Sequence, residues 1–179
     1  MSLALATLIT GLLLLVFGVP LLLASSGMGA VLKSFPRSQA AAGICFGAGA
    51  AWFLYNIWNL SPADFGDYRT PLFFAFLVIA VLAFKCVPDF LAVRGVCVIV
   101  LLGAMPLLDS AYMQYAIPRR LFLVSIVYVG IAVALWLGAQ PYRLRDFFDW
   151  LFARPGRARG FGLLLTAYGL LLCGVSLSY

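Results

Sequence analysis

The sequence predicts an all-α polytopic membrane protein, a bundle of six transmembrane helices with one interfacial amphipathic helix between the fifth and sixth. Three observations carry this. Of 179 residues, 65% are hydrophobic and only 10% are charged, against about 25% charged in ordinary soluble domains. Mean hydropathy is +1.08, and so sparse a set of charges cannot cover a soluble surface. The apolar residues are also gathered into runs of roughly the 20 residues that cross a hydrocarbon layer. Barrel strands would alternate polar and apolar residues, whereas the runs 11–17 and 98–102 are continuously apolar. A helical bundle is then the way to satisfy every backbone group in lipid.

The whole chain reads as a single transmembrane domain with spans at about 3–24, 39–60, 71–87, 88–108, 121–139 and 160–178. The first lacks a basic leading region, and its apolar stretch is longer than that of a secretory signal, so it reads as a permanent span. The third is short, and a tight hairpin around Lys85, Cys86, Val87 and Pro88 joins it to the fourth. Pro88 suits the first turn of that fourth helix, where its missing N–H is no loss. Asp89 would follow in the same turn, favoured by the helix dipole.

Charge placement sets the expected orientation. Nine of the twelve basic residues, Lys33, Arg37, Lys85, Arg94, Arg143, Arg145, Arg154, Arg157 and Arg159, fall in or beside the odd-numbered loops. The positive-inside rule puts those loops in the cytoplasm and both termini outside. Three of the six acids share that side, so the chain's net charge of +6 lies on one face. A face of this sign suits anionic lipid headgroups. No soluble module presents the charge to nucleic acid. This asymmetry in a compact chain suggests a bacterial cytoplasmic (inner) membrane.

Small residues let helices approach closely in lipid. The second span has Ala40, Gly43, Gly47 and Ala51, and the fifth has Gly130, Ala134 and Gly138, at spacings of three or four. Both faces are expected in helix contacts, within the chain or with another subunit. The segment 143–154 places Leu144, Phe147, Phe148, Leu151 and Phe152 on one helical face. It reads as a helix along the cytoplasmic interface with its apolar side in the acyl boundary. Arg145 and Asp149 form an i,i+4 pair, and Pro155 with Gly156 ends the helix.

Interfacial anchoring is the reading for Lys85, Asp89, Arg94, Arg143, Arg145, Trp150 and Arg154. Arg94 stands roughly 9 Å beyond Pro88 at 1.5 Å per residue, a reach a long Arg covers by snorkelling. Asp109, near the outer end of the fourth span, is the acid most suited to a ligand, with Arg119 or Arg120 as its partner. Asn56, Asn59 and Tyr128 join it as candidate binding residues, together with Ser125 as a further polar group.

The chain has no His, which excludes a His-ligated haem and a Ser-His or Cys-His pair within it. All six acids are Asp. The four Cys lie in or beside apolar runs without a C-x-x-C pair, as small buried hydrophobes do. No metal site or other cofactor is identifiable. No P-loop, dinucleotide fingerprint, HExxH or nucleophile elbow is present. An enzymatic role is therefore disfavoured. The spans also lack a charge at their midplanes, where ion-coupled transporters usually place one. The composition points to a small integral subunit or scaffold of a larger membrane complex, partnered by other membrane subunits or by itself. The alternative is a small transporter or channel for a neutral or weakly polar solute.

Overall fold

A computed structural model describes residues 1–23 and 26–179. Its elements are α1 (Leu3–Leu22), α2 (Ser26–Ser34), α3 (Gln39–Trp58), α4 (Arg69–Cys86), α5 (Leu91–Ala111), α6 (Arg120–Ala139), α7 (Tyr142–Phe152) and α8 (Pro155–Ser176). Short 3-10 turns occupy Phe35–Arg37, Pro62–Asp64 and Gly66–Tyr68. No strand occurs among the described residues. Six helices are long and apolar enough to cross a membrane, and the protein is membrane-embedded.

Local chemistry explains several helix ends. The Ser2 hydroxyl accepts a hydrogen bond from the Leu5 N–H at 3.3 Å, and Ser38 does the same for Ala41 at 3.2 Å. Each caps a donor that the first turn leaves orphaned. α1 runs on through Pro20 and α5 through Pro106. The expected end of the first span at Ala24 lies outside the described residues.

Three boundaries differ from the sequence expectation. α5 begins at Leu91, so Pro88 and Asp89 belong to the preceding turn and not to its first helical turn. Phe90 closes that turn with a positive φ of 58°. Its carbonyl accepts from the N–H groups of Val93 and Arg94 at 3.1 and 3.2 Å, which starts the helix there. Arg94 is consequently in the first turn of α5 and shallower than expected. α8 begins at Pro155 with Arg154 as an extended N-cap, so Pro155 opens this helix and does not terminate α7. Pro is well placed there because the first N–H groups of a helix have no internal partner. Finally, α2 is a short helix within what reads as a loop. Its Met28 and Leu32, at i,i+4, pack inward.

The chain forms two compact units. One comprises Met1–Lys33, Gly103–Val133 and Arg145–Tyr179, and the other Ser34–Leu102 and Ala134–Leu144.

In the first unit α1 and α8 run against each other at glycines. A Cβ added to Gly18 would meet Thr166 Oγ1 at 2.7 Å, and one on Gly162 would collide with the backbone of Leu21 and Leu22. Gly11 and Gly169 face each other in the same way. Gly11 and Gly18 are seven residues apart, as are Gly162 and Gly169, so two matched steps seat the pair. One apolar cluster is built on Leu3, Ala6, Ala104, Ala111, Leu123 and Val127. A second is built on Leu21, Leu151 and Ala158, with Met28, Leu32 and Phe161 against it.

In the second unit α3 packs on α5 through Gly49 and Gly95. A Cβ on Gly95 would overlap the backbone of Cys45 and Phe46. Ala42, Leu91 and Ala92 form the cluster beside this crossing. Val93, Cys97 and Ala134 form another, joined by Leu144. Ala134 thus turns inward from the small-residue stripe of the fifth span. α3 and α4 make an antiparallel hairpin held by edge-to-face rings. Phe46 meets Phe84 at 5.4 Å, Phe53 meets Phe76 at 5.1 Å, and Trp58 meets Phe73 at 5.4 Å.

Candidate functional site

The polar candidates fall in both units. Asn56 and Asn59 end α3, and both are exposed. The Asn59 amide donates to the Tyr55 carbonyl at 2.7 Å, while its backbone N–H takes the C-cap bonds. Its side chain thus finishes a helix. In the other unit, Asp109 lies in the last turn of α5 and is exposed. Tyr128 projects from the middle of α6 and is also exposed. Ser125 bonds back to the Leu121 carbonyl at 2.7 Å. No side-chain hydrogen bond joins Asp109 to Tyr128 among the described residues.

The expected Asp109 partnership is replaced by another. Arg120 Nη1 donates to the Ala111 carbonyl at 2.7 Å, and its guanidinium lies 4.7 Å from the Tyr115 ring centroid. The Ala111 carbonyl is an orphan of the α5 C-terminus, where a cation meets the negative end of the helix dipole. That carbonyl satisfies Arg120 without Asp109.

The expected Arg145–Asp149 pair is also rearranged. Arg145 Nη2 pairs with its neighbour Asp146 at 2.7 Å. Asp149 instead reaches Lys33, at the end of α2, at 3.2 Å. α2 supplies a cation that the sequence reading, which had no helix there, did not place. Gly29 of α2 sits beside Phe152, whose Cδ1 a Cβ would meet at 3.3 Å. The apolar side of α7 is therefore covered largely by this chain. Leu151 is 1% exposed, and Phe147, Phe148 and Phe152 pack on its cluster. The expected burial of this side in lipid is corrected to that extent, because α2 offers a protein surface instead.

The anchoring residues have defined neighbours. Arg157 donates to the Trp150 carbonyl at 3.1 Å and lies 4.7 Å over that ring. Trp150 and Arg154 are exposed. Arg143 donates from Nε to Gln140 Oε1 at 3.0 Å and stands 5.7 Å from both Trp136 and Tyr142. In the second unit Lys85 and Asp89 are exposed at the α4–α5 turn. Arg37 covers the Phe90 ring at 5.8 Å. Arg94 Nε is buried without a hydrogen-bond partner.

Two features of the second unit escaped sequence reasoning. One is an open groove of about 200 Å³ with an almost wholly apolar lining. Phe46, Ala50 and Phe53 of α3 form one wall, and Phe76, Ile79 and Ala80 of α4 form the other, with Val98 of α5 at its floor. Their spacings of three, four and seven are legible as helix faces, but which faces meet is not. The second is the direction of the small-residue stripe on α3. A Cβ on Gly43 or Gly47 would meet nothing within 4 Å, and Ala40 and Ala51 are exposed. The buried Ala42 and Gly49 lie about 150° around the helix from this stripe at 100° per residue, while the buried Leu54, seven residues after Gly47, continues the line of the stripe.

Among the described residues no group of three or more Cys and Asp side chains is placed to hold a metal ion. Comparison with protein-family models, curated proteins and solved structures gave no match.

Proposed function

We propose that this chain is a small integral subunit or scaffold of a larger membrane complex, and that it meets its neighbours through α3 and α4. The observation that carries the reading is the open stripe of Ala40, Gly43, Gly47 and Ala51. Hydrophobic burial does not drive association between helices in lipid, so close van der Waals packing must do so. A small-residue stripe offers that approach to another helix, whereas larger apolar side chains would serve better against lipid. α4 supports the same reading, since none of its residues is buried within the chain.

In this reading the basic loops face the cytoplasm of a bacterial inner membrane and both termini face outside. α7 lies along the cytoplasmic interface, with Arg145, Trp150 and Arg154 at anionic headgroups. Extraction from its own membrane in mild detergent tests the proposal. A particle whose protein mass exceeds 19.4 kDa is the expected result, with a second copy or another membrane protein in it. A lone chain with nothing co-purifying contradicts it.

A further inference from the structure

We infer that the second unit binds one anionic phospholipid, its acyl chain in the groove between α3 and α4 and its phosphate at Arg94 and Arg37. Three observations converge. The groove is open and apolar, so it accepts a hydrocarbon chain and offers a polar group nothing. It runs along the helices at hydrocarbon depth. Phe46 lies ~10 Å from Gln39, Ala80 ~9 Å from Cys86 and Val98 ~10 Å from Leu91, at 1.5 Å per residue.

The helix ends from which those depths are measured form one basic edge. Arg37 and Phe90 are in contact there, and Lys85 and Arg94 flank the same turn. Arg94 is four residues before Val98, so it stands one turn below the groove floor on the same face of α5. A lipid with its tail on Val98 would therefore bring its phosphate to Arg94.

The third observation is the state of these cations. Arg94 Nε is buried and has no hydrogen-bond partner, a costly condition for a guanidinium donor. The ion pairs among the described residues are Lys33–Asp149 and Arg145–Asp146, so Asp89 neutralises neither Arg94 nor Arg37. Nε itself is closed off, so a phosphate oxygen would bind the terminal nitrogens of this half-buried side chain through charge-assisted hydrogen bonds, and guanidinium groups suit phosphate well. The Phe90 ring, held at positive φ, supports Arg37 from below. This inference does not depend on the chain being a subunit.

Native mass spectrometry of the purified chain in neutral detergent tests it. The probes are dioleoyl phosphatidylglycerol, dioleoyl phosphatidylcholine and inorganic phosphate. Phosphatidylglycerol should be retained in preference to phosphatidylcholine, and millimolar phosphate should not displace it. Arg94→Gln should weaken its retention roughly tenfold, as loss of one charged hydrogen bond implies. Ala80→Phe, which fills the groove and keeps every cation, should weaken it as well. Arg119→Gln, an exposed cation of the other unit that is not assigned to headgroups, should leave it unchanged. Equal retention of the two lipids overturns the inference, as does displacement by phosphate, which would mark a free-anion site. Retention unchanged in Arg94→Gln and Ala80→Phe also overturns it. If Arg94→Gln fails to fold, Ala80→Phe decides alone, and undiminished retention there is contrary.

Discussion

Gly11 and Gly169 are reciprocal: a Cβ on either would lie 2.9 Å from the carbonyl oxygen of the other. Neither position has room for a methyl group unless the two backbones separate. One heptad on, a Cβ on Gly162 would lie 2.9 Å from the Gly18 carbonyl oxygen, while one on Gly18 would meet the Thr166 backbone nitrogen at 2.8 Å. The first and last spans are thus joined by two backbone contacts that only glycine permits.

Gly11→Ala and Gly162→Ala should each destabilise the protein by about 1–3 kcal/mol, the usual cost of overpacking a close contact. Thermal unfolding in a fixed detergent measures this. Gly160→Ala and Gly174→Ala are the controls, since a Cβ there meets nothing within 4 Å. They should be neutral or stabilising by up to about 1 kcal/mol, because alanine is the better helix former. Equal losses at all four positions would mean that the glycines act through helix propensity and not through contact.

The junction of α2 and α7 separates packing from charge. Leu151 is 1% exposed, and Leu151→Ala should cost about 2–5 kcal/mol. The Lys33–Asp149 pair is 43% and 59% exposed on its two sides, and Asp149→Asn should cost less than about 1 kcal/mol. Salt should erase the second loss and leave the first. A larger loss for Asp149→Asn than for Leu151→Ala would make the ion pair the principal tie.

The α3–α4 hairpin rests on aromatic edges. A double-mutant cycle of Phe53→Ala and Phe76→Ala should give a coupling of about 0.5–1.5 kcal/mol. A coupling near zero would mean that the rings touch without holding the hairpin.

How much of this was legible follows from the physics of each part. Six spans follow from length and hydropathy, since lipid demands both. The α3–α4 rings and the α1–α8 glycines were not foreseen, because every face of a span is apolar and no amphipathic pattern says which side turns inward. Gly11, Gly18, Gly162 and Gly169 carry a signal in their seven-residue spacing, but each pair lies on a separate span, and nothing local says that the two pairs meet. α2 was hidden by its brevity, although Met28 and Leu32 were spaced as a helix face. The start of α5 was misplaced because Phe90 adopts a left-handed conformation, which sequence rules assign to Gly or Asn. Asp109 lies inside the last turn of α5, which runs to Ala111, just past the expected end of the span. Arg120, one of its two expected partners, donates to the Ala111 carbonyl instead, which no residue pattern reports.

The proposed orientation makes a prediction independent of packing. A periplasmically active reporter fused after Tyr179 should be active, and the same reporter placed within the α7–α8 turn near Arg154 should be silent. The reverse pattern would invert the topology drawn from the nine basic residues of the odd-numbered loops.

The central claim, association through the open face of α3, is tested most directly by the mass of the protein particle in mild detergent. Light scattering should give the wild-type chain a protein mass above 19.4 kDa. Gly43→Leu with Gly47→Leu should reduce it to that of one chain while leaving thermal stability within about 1 kcal/mol, because both side chains enter open space. A single-chain mass for the wild type, or an unchanged larger mass for the double variant, would contradict the account.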